Sequence, residues 1–293
     1  MKFFIGIMMF LLSFEGLWGQ PQPVKIACVQ WLEDSTATVT KNVLRVKNYI
    51  REAAKQGADI LLLPENILAA GLDHLTPDAA QPIDGPAVDS VRAQALKSCI
   101  NVILPMRERI GKKIFNSAVI VDRNGGIAGV YRATHCWYPN ADECSCGDFF
   151  PVFKLDFGTI GVLIGLDARF PEAAISLALA GADILFLPHR FPADDEFEWG
   201  VLARSRAIDN GVYVATASLV TYDEQLPENC LGKTAVIGKD GTILADRGTI
   251  GGILFYQIPD LKPPSALDVP LDWRQLYRKI RRPKIYQRVV EEE

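Results

Sequence analysis

At 293 residues, with 49% hydrophobic and 23% charged side chains, the chain has too much apolar surface to be disordered, collagen-like or a disulfide-packed miniprotein. Its length suits one large α/β domain or two small ones. Lys and Arg (31) against Asp and Glu (35) leave a net charge of −4, which gives no reason to expect nucleic acid or an anionic membrane as the main partner.

Lys2 precedes an apolar run of twelve residues, Phe3 to Phe14, broken only by Gly6 and Ser13. Crossing a hydrocarbon core takes roughly twenty apolar residues, so no stable membrane span is expected. One positive charge, a short apolar stretch and small residues after it read as a signal peptide over residues 1–19, cut after Gly19. The expected location is therefore secreted or periplasmic, with an uncleaved N-terminal membrane anchor as the alternative.

Val24 to Trp31 reads as a first strand. Asp34 and Ser35 then offer N-cap oxygens, and Val39, Val43, Val46, Ile50 and Ala53 recur at helical spacing up to Gly57. The apolar run Ala58 to Leu63 suits a strand covered on both faces. Strand, helix, strand in that order marks a parallel α/β layer.

The unit returns later in the chain. Gly57-Ala-Asp-Ile-Leu-Leu-Leu-Pro64 is echoed by Gly181-Ala-Asp-Ile-Leu-Phe-Leu-Pro188, and Ser117-Ala-Val-Ile-Val-Asp-Arg-Asn-Gly125 by Thr234-Ala-Val-Ile-Gly-Lys-Asp-Gly241. Two echoes in the same order predict halves related by a pseudo-twofold: two sheets, each covered by helices on its outer face. No Pro-, Gly- or Ser-rich linker divides residues 24–260, so these are expected to form a single domain. From about Leu271 the composition changes: Arg274, Arg278, Lys279, Arg281, Arg282, Lys284 and Arg288 precede Glu291, Glu292 and Glu293. Residues 271–293 read as a terminal arm lying on an acidic surface of this protein or of a partner subunit, in preference to a nucleic-acid tail.

The six cysteines divide into groups. Cys28 and Cys99 lie in apolar stretches and read as core residues. Cys136, Cys144 and Cys146 crowd one loop, where some could pair in an oxidising compartment. A metal site is not expected, because Cys144 and Cys146 are one residue apart and only His135 is near.

Three segments end in polar residues where α/β sheets collect ligands: Leu62-Leu-Pro-Glu-Asn66, Val130-Tyr-Arg-Ala-Thr-His135, and Val162 to Glu172 ending Asp-Ala-Arg-Phe-Pro-Glu. With Ala203-Arg-Ser-Arg-Ala-Ile-Asp-Asn210 and Arg281-Arg-Pro-Lys-Ile-Tyr286, these segments resemble the nitrilase, or carbon-nitrogen hydrolase, superfamily from Val24 to Tyr286. The resemblance implies a four-layer αββα sandwich and hydrolysis of amides or nitriles through Glu, Lys and Cys. A thiolate attacks carbon, a carboxylate moves the proton, and an ammonium stabilises the charge that develops. Glu65 matches the glutamate. The lysine position falls on Ala133 and the cysteine position on Gly165, so two of the three working groups are absent. Glu143 corresponds to a second glutamate seen in many members, or is a solvated loop acid.

Glycine cannot form a covalent intermediate, and alanine carries no charge. The chain is therefore expected to be a non-hydrolytic pseudoenzyme with a binding or scaffold role. No cofactor is expected. The expected partners are a small amide, amine or carboxylic acid and, from the resemblance, further copies of the chain as a homodimer or higher homo-oligomer. The alternative is an amidase-type hydrolase using Glu65 and a relocated nucleophile among Cys136, Cys144 and Cys146. Asp167 and Arg169 are expected to tie the strand-to-helix elbow by hydrogen bonding. Arg204 and Arg206 are expected as helix-face or interface charges, and His135 and His189 as structural.

Overall fold

The computed structural model describes residues 23–72, 79–136, 144–222, 230, 232–261, 276 and 279–286. The N-terminal apolar run, Glu143 and most of residues 271–293 lie outside the described residues. Within the arm, Pro283–Ile285 forms a 3-10 turn.

Strand β1 (Val24–Leu32) leads to helix α1 (Val39–Lys55). The helix is capped by Thr38, whose hydroxyl accepts from Lys41 N at 3.2 Å, and not by Asp34 or Ser35. Asp34 instead closes its own turn, accepting from Thr36 N and Oγ1, a local bond that competes with helix initiation. The expected apolar stripe is present: Val43, Val46, Ile50 and Ala53 are buried, each large side chain contributing roughly 1.5–3 kcal/mol.

The first half continues through β2 (Ile60–Leu62), α2 (Pro86–Ser98), β3 (Asn101–Ile110), β4 (Lys113–Val121) and β5 (Ile127–Arg132). After β6 (Val152–Leu155), the second half repeats the order with β7 (Gly158–Val162), α3 (Pro171–Ala180), β8 (Ile184–Pro188), α4 (Glu196–Asn210), β9 (Tyr213–Val220), β10 (Ala235–Ile237) and β11 (Ile243–Asp246). The last strand is β12 (Gly252–Ile258).

Pairing follows the sequence echo. In the first half β1, β2 and β3 are parallel, β4 and β5 return antiparallel, and β12 flanks β1 antiparallel. In the second half β7, β8 and β9 are parallel, β10 and β11 return antiparallel, and β6 flanks β7 antiparallel. The echoed octapeptides supply β2 and β8. The halves join where Gln30–Leu32 of β1 runs parallel to Ser218–Val220 of β9.

Three apolar clusters define four layers. One lies between the first half's sheet and α1 and α2, and another between the second half's sheet and α3 and α4. The third lies between the two sheets, where Ile26, Leu62 and Ile120 meet Ile160, Phe186 and Val236. This is the αββα order, and the carboxyl ends of the central strands open on one cavity. Cys28 is in the core, but Cys99 is exposed. It caps α2 in the left-handed conformation (φ 50°), which turns its side chain outward despite apolar neighbours. Among the described residues no helix is long and apolar enough to cross a membrane.

Candidate functional site

A cavity of about 490 Å³ is lined by Glu65 beyond β2, Ala133 beyond β5 and Gly165 beyond β7. The three positions singled out from the sequence thus converge. Gly165 opens a 3-10 turn (Gly165–Arg169) with φ +48°, a left-handed conformation natural to glycine and strained for other residues. A β-carbon built there would lie 2.7 Å from Glu65 Oε2 and 3.1 Å from Oε1. The carboxylate therefore occupies the space a nucleophile's side chain would enter. Asn116 on β4 holds it, donating from Nδ2 to Glu65 Oε1 at 2.6 Å.

Asp167 fixes the elbow from below. Fully buried, it accepts from Tyr131 Oη (2.6 Å), Ile164 N (3.2 Å), Thr134 N (3.2 Å) and Oγ1 (3.1 Å), and His135 N (3.0 Å). His135 Nδ1 also lies 2.8 Å from Asp167 Oδ1, and the imidazole stacks on Phe170 with centroids 3.6 Å apart. These bonds lock the segment after β5 to the turn after β7, as expected of Asp167. Burial, reinforced by the Asp167 charge, pushes the Tyr131 phenol far above its ordinary range.

Arg169 turns away from the elbow and pairs with Asp195 at 3.5 Å and with Glu198 of α4. The elbow's arginine is Arg206, which the sequence placed on a helix face or interface. It is buried and donates from Nε to Ala168 O at 2.9 Å, and from its terminal nitrogen to Arg169 O at 3.3 Å. Burial lowers its pKa from the usual guanidinium range. Arg204 donates to Gly241 O at 2.8 Å. His189 is buried away from the cavity against Trp199.

Arg107 on β3 and Asn116 are among the cavity residues that escaped the sequence reading. They sit opposite each other in the β3–β4 register, and Ala133 N donates to Asn116 O at 2.8 Å, so the three form one row. Strand alternation alone would have marked them, but only once that register was known. Arg132, next in sequence, makes a two-bond pair with buried Glu108, both contacts 2.7 Å. That pair raises the Arg132 pKa and leaves its charge unavailable to the cavity.

Of the crowded cysteines, Cys136 and Cys146 form a disulfide with Cα atoms 6.0 Å apart. Cys144 is a free thiol on the cavity wall. Burial pushes its pKa up and Glu65 adds to the rise, against lowering by the Asn116 backbone N–H and by Arg107. Among the described residues no group of three His, Cys, Asp or Glu could hold a metal ion.

The family profile for carbon-nitrogen hydrolases matches residues 25–261. The chain belongs to the carbon-nitrogen hydrolase family. Among its relatives within this family, an omega-amidase of Homo sapiens is 31% identical over 233 residues, 75% of this chain and 83% of the relative. A probable nitrilase of Schizosaccharomyces pombe is 29% identical over 227 residues, 75% of this chain and 82% of the relative. The carbon-nitrogen hydrolase fold is matched by the solved carbon-nitrogen hydrolase of Helicobacter pylori G27, with TM-score 0.77, 23% identity and coverage of 93% of this chain and 100% of that one.

Proposed function

We propose that this carbon-nitrogen hydrolase-fold protein is a pseudoenzyme, which holds a small amide, amine or carboxylic acid in the cavity beside Glu65 without hydrolysing it. The observation that carries the reading is the backbone at Gly165. The turn keeps a left-handed conformation under an empty side-chain position, and the Glu65 carboxylate lies over it. Nucleophilic catalysis needs a side-chain nucleophile with a base in reach, and neither Gly165 nor Ala133 supplies a reacting or charged group.

Export and self-association belong to the same reading. The Cys136–Cys146 disulfide supports an oxidising compartment. Phe197, Val201 and Ile208 stand exposed at helical spacing along α4, which supports pairing of subunits through that helix.

The test is ammonia release from a panel of small amides and nitriles at high protein concentration, with intact-mass spectra taken in parallel. The expected result is neither release above the protein-free blank nor a covalent adduct, while at least one amide, amine or acid raises the melting temperature. Release of ammonia that disappears in Glu65→Gln would overturn it.

A second reading, hydrolysis by a relocated thiol, has one observation in its favour: Cys144 shares the cavity with Glu65 and Arg107. The raised thiol pKa opposes it, since the thiolate is the nucleophile. Under this reading, turnover would vanish in Cys144→Ser.

A further inference from the structure

Three arginines among the described residues line the cavity, and two of them are paired. Arg169 meets Asp195 at 3.5 Å, and Arg190 meets Glu33 at 3.0 Å. Among the described residues no hydrogen bond or ion pair reaches the guanidinium of the third, Arg107.

Arg107 is half-buried and sits opposite Asn116 in the β3–β4 register, so the two side chains leave the same face of the sheet. From that face Asn116 reaches Glu65 in the cavity. The Arg107 charge also acts on the Cys144 thiol, which lines the same cavity. Strand register and electrostatics thus agree in putting this guanidinium on the cavity wall.

Drawing a guanidinium partly out of water costs free energy unless an anion answers it. Its donors lie in a planar fork that fits both oxygens of one carboxylate. A neutral amide brings a single oxygen and no charge, and an ammonium is repelled. Much of the remaining wall is apolar, with Ala69, Leu72, Ile114, Phe115 and Leu166 among its residues. One unpaired cation on such a wall suits an ionised acid with an apolar body.

We propose, resting on the ligand-site reading above, that the cavity selects the acid over the amide and the amine: it binds a small monocarboxylate with an apolar body, held by Arg107 through both carboxylate oxygens.

Isothermal titration of the full chain at pH 7 compares butyrate, hexanoate and benzoate with butyramide, hexanamide and benzamide, their uncharged counterparts of similar shape, and with butylamine. At least one acid is expected to bind about tenfold or more tightly than its amide, the scale of a hydrogen bond to a charged group. Arg107→Gln should bring that acid down to the level of its amide and leave the amide where it was. Arg107→Lys, which keeps the charge and loses the fork, should recover part of the difference. Saturating acid should also slow iodoacetamide labelling of Cys144, the thiol that shares the wall with Arg107, and leave labelling of exposed Cys99 unchanged. Variants that melt with the parent protein establish that the fold is intact.

The proposal is overturned if no acid binds better than its amide, if Arg107→Gln leaves the acid's advantage as it was, or if Cys144 reacts equally fast with the acid bound. If an amide or butylamine binds and the acids show no advantage, this inference falls and the ligand-site reading stands. If no probe binds, both fall.

Discussion

The carboxylate of Glu65 covers Gly165, with Oε2 only 2.7 Å from the point where a β-carbon on that glycine would sit. The obstruction is the far end of a flexible side chain, so it can swing aside. The backbone cannot adjust as easily, because φ of +48° is unfavourable for any residue with a β-carbon.

Gly165→Cys is accordingly expected to fold but to lose about 1–2 kcal/mol, read as a shifted urea midpoint at constant slope. Neither Gly165→Cys nor Ala133→Lys alone should release ammonia from a short amide, since each restores one of two missing groups. The double variant should do so and should show an acyl adduct by intact mass. A folded but silent double variant would mean that the departure from hydrolysis extends beyond these two positions.

Asp167→Asn tests the elbow. The carboxylate accepts from Tyr131, Thr134, His135 and Ile164, and an amide offers one acceptor oxygen while turning an NH₂ toward donors. Several buried donors would lose their partner, at a cost of roughly 1–3 kcal/mol for each group left unsatisfied. The expected outcome is a loss of at least about 3 kcal/mol in urea unfolding, with faster amide exchange at Thr134 and His135. Unchanged exchange there would show that the segment is held by other contacts.

Much of this was legible in the sequence because it is periodic or repeated. The stripe on α1 follows from helical spacing, and the echoed octapeptides place β2 and β8 at equivalent points of the two halves. Glu65, Ala133 and Gly165 could be aligned to one site only through the resemblance of their segments to the motifs of the carbon-nitrogen hydrolases, segments that each follow the carboxyl end of a strand. The residues that were missed or misplaced depend on which side of an element packs inward. Arg206 reads as a surface charge until α4 is seen lying over the elbow, and Arg107 faces the cavity only in the observed β3–β4 register. Cys99 shows the same limit on a smaller scale, where a single left-handed residue outweighs the apolar character of its neighbours.

Cysteine reactivity gives an independent check on burial. Cys99 is exposed, Cys144 is half-buried with a raised pKa, Cys28 is buried with its thiol pushed far up, and Cys230 is buried. Iodoacetamide at pH 7.5 should label Cys99 first and Cys144 more slowly. Cys28 and Cys230 should react only after unfolding. Peptide mapping reads the order, and Cys136 and Cys146 should appear as one linked pair unless a reductant is added. Rapid labelling of Cys144 at neutral pH would instead mark an activated thiolate and favour the relocated-nucleophile reading.

His189 should make stability depend on pH. Burial among Trp199 and Phe191 lowers its pKa from 6.5 to about 3, so the imidazole stays neutral in the folded chain at any ordinary pH. Between about pH 3 and pH 6.5 the unfolded chain binds a proton at this site that the folded chain does not, and unfolding free energy then rises with pH. The neutral site's contribution is fully present above pH 6.5 and is lost as pH falls toward 3, with a limiting slope of about 1.4 kcal/mol per pH unit. Urea unfolding of the parent protein and of His189→Gln, compared from pH 7 to pH 4, isolates this slope, because the other titrating groups are common to both. The glutamine variant should be the flatter of the two, and equal slopes would place the His189 proton on the folded chain as well.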